Sequence, residues 1–381
     1  KFNTTNKKGY IVALSIKNQE IIGEIDNLQD KLDGRTPIDR LELLVLVNSW
    51  GRNAYILTQN EIKDNNLEFC IDNCEPKECY NLSKLDVSQI TNMDSIFEHS
   101  NYNGDIGNWD VSNVTSMFKM FAFNREFNSP LNNWDVSNVK NIKEMFSNCI
   151  KFNQNLNNWD TSNVVNMIKV FSKAKVFNGD ISNWDVSNVT SMSSMFFETK
   201  EFNQDLNSWD TSNVNNMEGM FKYTEKFNQP LKFDTSSVTD MSYIFYNAKS
   251  FNQPLNFDTS NVTNMRYMFY AAINFNQLLN FDTSEVTNMS NMFYEAISFN
   301  QPLNFDISSV INMKRMFYYA KEFTKKYNND HKLSNETDDI KEWFNFNRER
   351  MNDIDIKEKH GEEIDSFFNK IQTNSIQEKD I

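Results

Sequence analysis

The densest chemistry in the chain is a decapeptide holding three thiols, Cys70, Cys74 and Cys79. Thiols this close can close a disulfide or, as thiolates, hold a metal ion. Their C-x3-C-x4-C spacing is not that of a common zinc knuckle, and the three histidines, His99, His331 and His360, lie elsewhere. A disulfide is therefore the first reading, free thiols the second and zinc the third. A second candidate is a series of ten carboxylates: Asp86, Asp110, Asp135, Asp160, Asp185, Asp210, Asp234, Asp258, Asp282 and Asp306. Stacked carboxylates can supply oxygen ligands to calcium, or they can accept hydrogen bonds from free backbone N–H groups at the start of a following helix. The Gly- and Asp-dense loops of calcium-binding β-rolls are missing, so capping is expected. No metal or cofactor site is expected on this basis.

Two aromatic series could bind a partner. Trp109, Trp134, Trp159, Trp184 and Trp209 recur every 25 residues and could present a row of indoles to a sugar chain. Tyr246, Tyr270, Tyr294 and Tyr318 recur every 24 residues, with Tyr243 and Tyr267 close by. They occupy positions where earlier copies carry Ser147, Ser172 or Lys222, so the fold does not require tyrosine there. Tyrosine combines contact area with a polar tip. These six tyrosines are the candidate partner-binding residues, and the alternative is a stripe packed beneath the C-terminal segment. Catalysis has little support: no nucleophile, base and orienting group recur at a useful spacing, and no catalytic residue is assigned.

All of these series are columns of one repeat. Its ten Asp positions lie 24 or 25 residues apart between about Leu85 and Phe323, a period that signals stacked turns, each burying its apolar side only against its neighbours. Val262, Met265, Met268, Phe269 and Ala272 stand at offsets 0, 3, 6, 7 and 10 in one copy. That spacing predicts one to two helical turns per repeat, with Asp-x-Ser at the entry. Leu255 and Phe257, two apart, predict a short strand, and Pro130, Pro230, Pro254 and Pro302 are expected just before the paired segments. An Asn column (Asn128, Asn153, Asn178, Asn203, Asn228, Asn252, Asn276, Asn300) is expected to form an amide ladder. Cys149 stands where other copies have Ala174 or Ala248, and a buried thiol is expected there.

The Trp column also reports on packing. From Phe233 onward it becomes Phe (Phe257, Phe281, Phe305), and the same copies lose one residue between Leu and Asp. Ring size and backbone length change together, as a buried position would require, whereas an exposed platform could exchange its ring without a deletion. Core is the preferred reading of the indoles.

Units of the type FNQPLNFDTSNVTNMRYMF resemble the mycoplasma-lipoprotein class of BspA-type leucine-rich repeats, over close to two thirds of the chain. The resemblance implies an α/β, leucine-rich-repeat-like solenoid of about ten turns, with short parallel strands on one side, short helices on the other and terminal caps. It also implies a non-catalytic recognition or adhesion role at the cell surface or in secreted form, and it carries over no catalytic residues. A protein partner is the first expectation; a glycan, or a place in a larger assembly, is the alternative.

The chain divides on this basis into an N-terminal cap region (1–84), the repeats (85–323) and a helical C-terminal cap (324–381). In the first part Tyr10 to Ile16 reads as a strand, and Asn18 to Leu32 and Pro37 to Val47 as helices. In the last, two helices are expected around Trp343 and Phe344 and from Ile364 to Ile371. With 38 Lys plus Arg against 52 Asp plus Glu, the formal charge of −14 opposes the phosphate contacts of a nucleic-acid binder and an anionic membrane surface alike. No stretch reaches the roughly 20 apolar residues of a membrane-spanning helix. The chain begins at Lys1, and a leader removed beforehand is the expectation.

Overall fold

The computed structural model describes residues 10–16, 19–25, 28–48, 54–58 and 81–323. It falls into two units, Lys1–Asp185 and Val186–Ile381, each described by itself. The three clustered cysteines and the expected C-terminal helices lie outside the described residues.

The first unit opens with a three-stranded antiparallel sheet of β1 (Tyr10–Ile16), β2 (Gln19–Ile25) and β3 (Ala54–Thr58), in the order β2-β1-β3. β1 is the strand expected from its sequence. β2 corrects the helix expected over 18–32, of which only α1 (Leu28–Leu32) is helical. The β-branched Ile21, Ile22 and Ile25 favour extended backbone, and the Ile16↔Gln19 register folds the segment directly back onto β1. α2 (Arg40–Asn48) follows. Its start is a reciprocal capping box: Asp39 Oδ1 accepts from the Glu42 N–H at 2.8 Å, and Glu42 Oε2 accepts from the Asp39 N–H at 2.9 Å. Leu43, Leu44, Leu46 and Val47 are buried. This segment joins the first repeat through hydrogen bonds to carbonyls of that repeat. Ile38 N–H donates to Asp86 O at 2.9 Å, and Arg40 Nη2 donates to Asp94 O at 2.6 Å. At Gly34, φ is +70° and Lys84 O would lie 2.3 Å from a Cβ, so a side chain has no room there.

In the repeats, the helices expected around the Val, Met and Phe columns do not form; turns occupy 85–320 in their place. Phe251–Phe275 shows why. The N–H groups of Met268, Tyr270 and Ala272 each close a turn on the carbonyl three residues back. Those of Met265, Tyr267, Phe269 and Ala271 donate instead to Asn288, Ser290, Met292 and Tyr294 of the following repeat, at 2.7 to 2.9 Å. Tyr267 (φ 57°) and Ala271 (φ 49°) sit in the left-handed region, which rotates alternate N–H groups out of the repeat and toward its neighbour. An α-helix would send those donors along its own axis to the fourth carbonyl back and leave the neighbour unbonded. Left-handed pairs recur in the same columns, as at Lys119 and Phe123 or Glu144 and Asn148. Each non-glycine member costs about 1–2 kcal/mol, offset by the bonds to the next repeat. The expected parallel strands are likewise reduced to single bridges, such as Leu231↔Leu255↔Leu279 and Asp240↔Asn264↔Asn288↔Asn312. Pro230 and Pro254 immediately precede bridged leucines, where their missing N–H is tolerated.

The core of each unit is a set of aromatic columns. In the first, Phe97, Phe121, Phe146 and Phe171 stack at 5.2 to 5.6 Å; in the second, Phe196, Phe221, Phe245, Phe269, Phe293 and Phe317 do so at 5.5 to 5.8 Å. Burying each such ring contributes about 1.5–3 kcal/mol. The tryptophans belong to this core: Trp109, Trp134, Trp159 and Trp184 are 2 to 4 % exposed and stack at 6.0 to 6.5 Å. Their indole N–H groups donate to Leu82, Ile106, Leu131 and Leu156 carbonyls at 2.8 to 2.9 Å. Cys149 is fully buried, and its thiol donates to Phe121 O at 2.8 Å.

Ring type and repeat length are coupled through the backbone. In a 25-residue repeat Leu131 and Trp134 close a turn, Trp134 N–H to Leu131 O, at 3.1 Å. In a 24-residue repeat the two-residue loop shortens to one residue, the chain stays extended from Leu255 to Phe257, and Leu255 joins its neighbours by parallel bridges.

Candidate functional site

The Asp column caps backbone N–H groups as expected, but at the start of a turn rather than of the expected helix. Asp258 Oδ1 accepts from the Ser260 N–H at 3.0 Å and the Ser260 hydroxyl at 2.7 Å, and Asp110, Asp135, Asp234 and Asp282 repeat the arrangement. The serine hydrogen bonds hold the carboxyls of Asp110, Asp160, Asp210, Asp234, Asp258 and Asp282 below the usual range. Thr259 Oγ1 extends the arrangement by donating to the next Asp carbonyl, Asp282 O, at 2.8 Å. The Asn column forms its ladder, as in Asn252 N–H to Asn228 Oδ1 and Asn276 N–H to Asn252 Oδ1, both 2.9 Å. These columns satisfy backbone groups of the scaffold. Among the described residues, no group of three or more His, Cys, Asp or Glu side chains is placed to hold a metal ion.

The six candidate tyrosines all lie in the second unit, and the fold brings them together in two adjacent columns. Tyr246 stacks on Tyr270 at 4.4 Å, Tyr270 on Tyr294 at 4.6 Å, and Tyr294 meets Tyr318 at 5.1 Å. Beside them Tyr243 stacks on Tyr267 at 4.8 Å. The first five are half-buried and Tyr318 is exposed. Tyr246, Tyr270 and Tyr294, and likewise Tyr243 and Tyr267, lie within 8° of parallel and cover one another's faces, while Tyr318 is tilted by 30°. Faces covered in this way are poorly suited to stacking a sugar.

Sequence reasoning missed Tyr223 and Tyr319 as members of the face. Tyr223 meets Tyr246 at 5.1 Å, and Tyr319 is 56 % exposed beside Tyr318. Lys222 occupies the Tyr246 column one repeat earlier, so its place was legible; the direction of its side chain was not. Its ammonium lies 4.3 Å from the Tyr243 ring centroid and 4.8 Å from that of Tyr246. Arg266 approaches the Tyr243 ring at 5.1 Å, and Arg315 approaches Tyr318 at 5.9 Å. Burial pushes the phenols of Tyr243, Tyr246 and Tyr270 upward, with a hydrogen bond to Tyr223 adding to the effect at Tyr246. They remain protonated donors at neutral pH. Burial pulls Lys222 downward, with Glu218 opposing the shift.

Three overlapping stretches of the chain, 65–182, 151–256 and 255–356, match the family described as Mycoplasma protein of unknown function, DUF285. Together they span well over half of the sequence. The chain belongs to that family. Each match covers several of the 24- to 25-residue units, so this is a repeat protein of the mycoplasma type. No curated protein and no solved structure matches it. Among the described residues no helix is long and apolar enough to cross a membrane.

Proposed function

We propose that the chain is a non-catalytic recognition protein at a cell surface or in secreted form, and that it binds a protein partner through the tyrosine face of its second unit. The repeats of each unit are taken as solenoid turns of the BspA-like, leucine-rich-repeat-like kind, with residues 1–84 and 324–381 as caps. The observation that carries this reading is the contrast between columns. Val, Met, Phe, Trp, Asp and Asn are spent on packing and on backbone hydrogen bonds, whereas the tyrosines occupy positions that other repeats fill with Ser147 or Ser172. Tyrosine without a scaffold role, clustered and partly exposed, is the composition of a protein-recognition surface. Among the described residues the indoles are buried and offer no platform to a glycan.

The test is capture of partners from host-cell and matrix protein, compared between the native chain and a Tyr246→Ser, Tyr270→Ser, Tyr294→Ser variant whose circular dichroism spectrum is unchanged. Loss of a saturable partner in the variant supports the proposal. Equal capture by the folded variant removes the tyrosine face from it.

A further inference from the structure

Lys222 and Arg266 are an unusual pair on an acidic chain. They approach the same Tyr243 ring, at 4.3 and 5.1 Å, and the Arg266 charge adds to the burial that pulls Lys222 downward. Neither forms an ion pair within 4 Å among the described residues, although Lys200, Lys249, Lys119 and Lys151 all do. Arg266 Nε is buried and makes no hydrogen bond. Glu218 and Glu198 act on Lys222 only from beyond ion-pair distance. The aromatic contacts offset part of the cost of partly burying each cation, but they leave the guanidinium fork and the ammonium without an acceptor.

We infer that Lys222 and Arg266, with the neighbouring tyrosine hydroxyls, form a site for a carboxylate of an acidic segment in a protein partner, an assignment that rests on the tyrosine face being the partner surface. A carboxylate matches the guanidinium fork in a two-bond geometry and takes a further bond from the ammonium. The Tyr223, Tyr246 and Tyr270 hydroxyls lie alongside, hydrogen-bonded to one another. The net charge of −14 sharpens the inference, since the chain as a whole repels an acidic peptide and binding can arise only where positive charge is concentrated.

The experiment is fluorescence anisotropy at low salt with a labelled, end-blocked hexaglutamate peptide on the full chain. Saturable binding is expected, weakened about tenfold or more by Arg266→Gln and by Lys222→Gln, in keeping with removal of a charge-assisted contact. Lys140→Gln, an equal loss of charge at an exposed position of the first unit, should leave it unchanged. Absence of saturable binding, or equal weakening by all three substitutions, overturns the inference. So does binding of a glucuronate-containing oligosaccharide where the peptide fails, which would place the carboxylate on a glycan. If the peptide fails while the tyrosine variant still loses its captured partner, the recognition face stands and only the carboxylate assignment falls.

Discussion

Replacing Trp159 with Phe tests whether the indoles are bonded parts of the scaffold rather than interchangeable bulk. Trp159 is 2 % exposed, lies between Trp134 and Trp184 at 6.5 and 6.0 Å, and donates its indole N–H to Leu131 O at 2.8 Å. Phenylalanine keeps the stacking, as the Trp209–Phe233 pair at 6.5 Å and 6° demonstrates in the second unit. Two contributions are lost. The Leu131 carbonyl retains its bond from the Trp134 N–H at 3.1 Å, so losing the indole donor costs only the net value of one buried hydrogen bond, about 1 kcal/mol. The smaller ring also leaves roughly 40 Å³ unfilled, at about 24 cal/mol per Å³ another ~1 kcal/mol.

The expected loss is therefore about 2 kcal/mol, read from the urea midpoint of the intact chain with the slope checked for constancy. Trp134→Phe should lose a similar amount, since its indole bonds Ile106 O at 2.9 Å. A loss below about 0.5 kcal/mol in both variants would refute the account, because it would mean that neither the bond nor the ring volume contributes.

The Asp–Ser caps predict an acid limb in stability. Their carboxyl pKa values are lower in the folded chain than the ordinary value of about 3.9, so their contribution is present above that value and lost as pH falls through the folded one. The urea midpoint should be flat near neutrality and fall below about pH 4, and Ser260→Ala should make the fall shallower by removing one cap; an unchanged profile in that variant would count against the mechanism. Gly219 (φ 60°) occupies a left-handed column, so Gly219→Ala should destabilise by about 1 kcal/mol, and Glu144→Gly (φ 58°) should be neutral or stabilising; the thermal melt should fall for the first and not for the second. Cys149, whose thiol burial pushes upward, should resist iodoacetamide until denaturant is added, as read by peptide mapping. Labelling of the native chain at Cys149 would contradict its burial.

The columns were legible in the sequence because identity at a fixed period reports burial directly. Val262, Met265, Phe269 and Trp159 were assigned to the core from spacing alone, and the coupled change of Trp to Phe and of 25 to 24 residues pointed to the backbone rearrangement now seen between Leu131 and Leu255. The turns were not legible. Offsets of three and four residues arise in a helix, but they also arise in tight turns that point every third or fourth side chain inward, and periodicity cannot separate the two. What decides between them is where the N–H groups of Tyr267 and Ala271 go, and that depends on a neighbouring repeat. A helix of one or two turns has too few internal bonds to hold itself, whereas the left-handed residues exchange those bonds for bonds to the next repeat. The Asp-x-Ser signal misled for the same reason, since one side chain bonding the backbone two residues on serves a turn as well as a helix start.

The candidate site was legible as far as its column was regular. Tyr246, Tyr270, Tyr294 and Tyr318 share one position, and their proximity follows from the period. Lys222 shares that position too, but nothing in the period says that its ammonium turns onto Tyr243 and Tyr246. Arg266, at a position that holds Glu218 and Ser242 in the two preceding repeats, was fixed by no column at all. The scaffold is periodic because each repeat must bond its neighbour in the same way, whereas the binding chemistry lies in the departures from that period. The residues most open to functional assignment are therefore those, like Lys222 and Arg266, that the repeat neither requires nor neutralises.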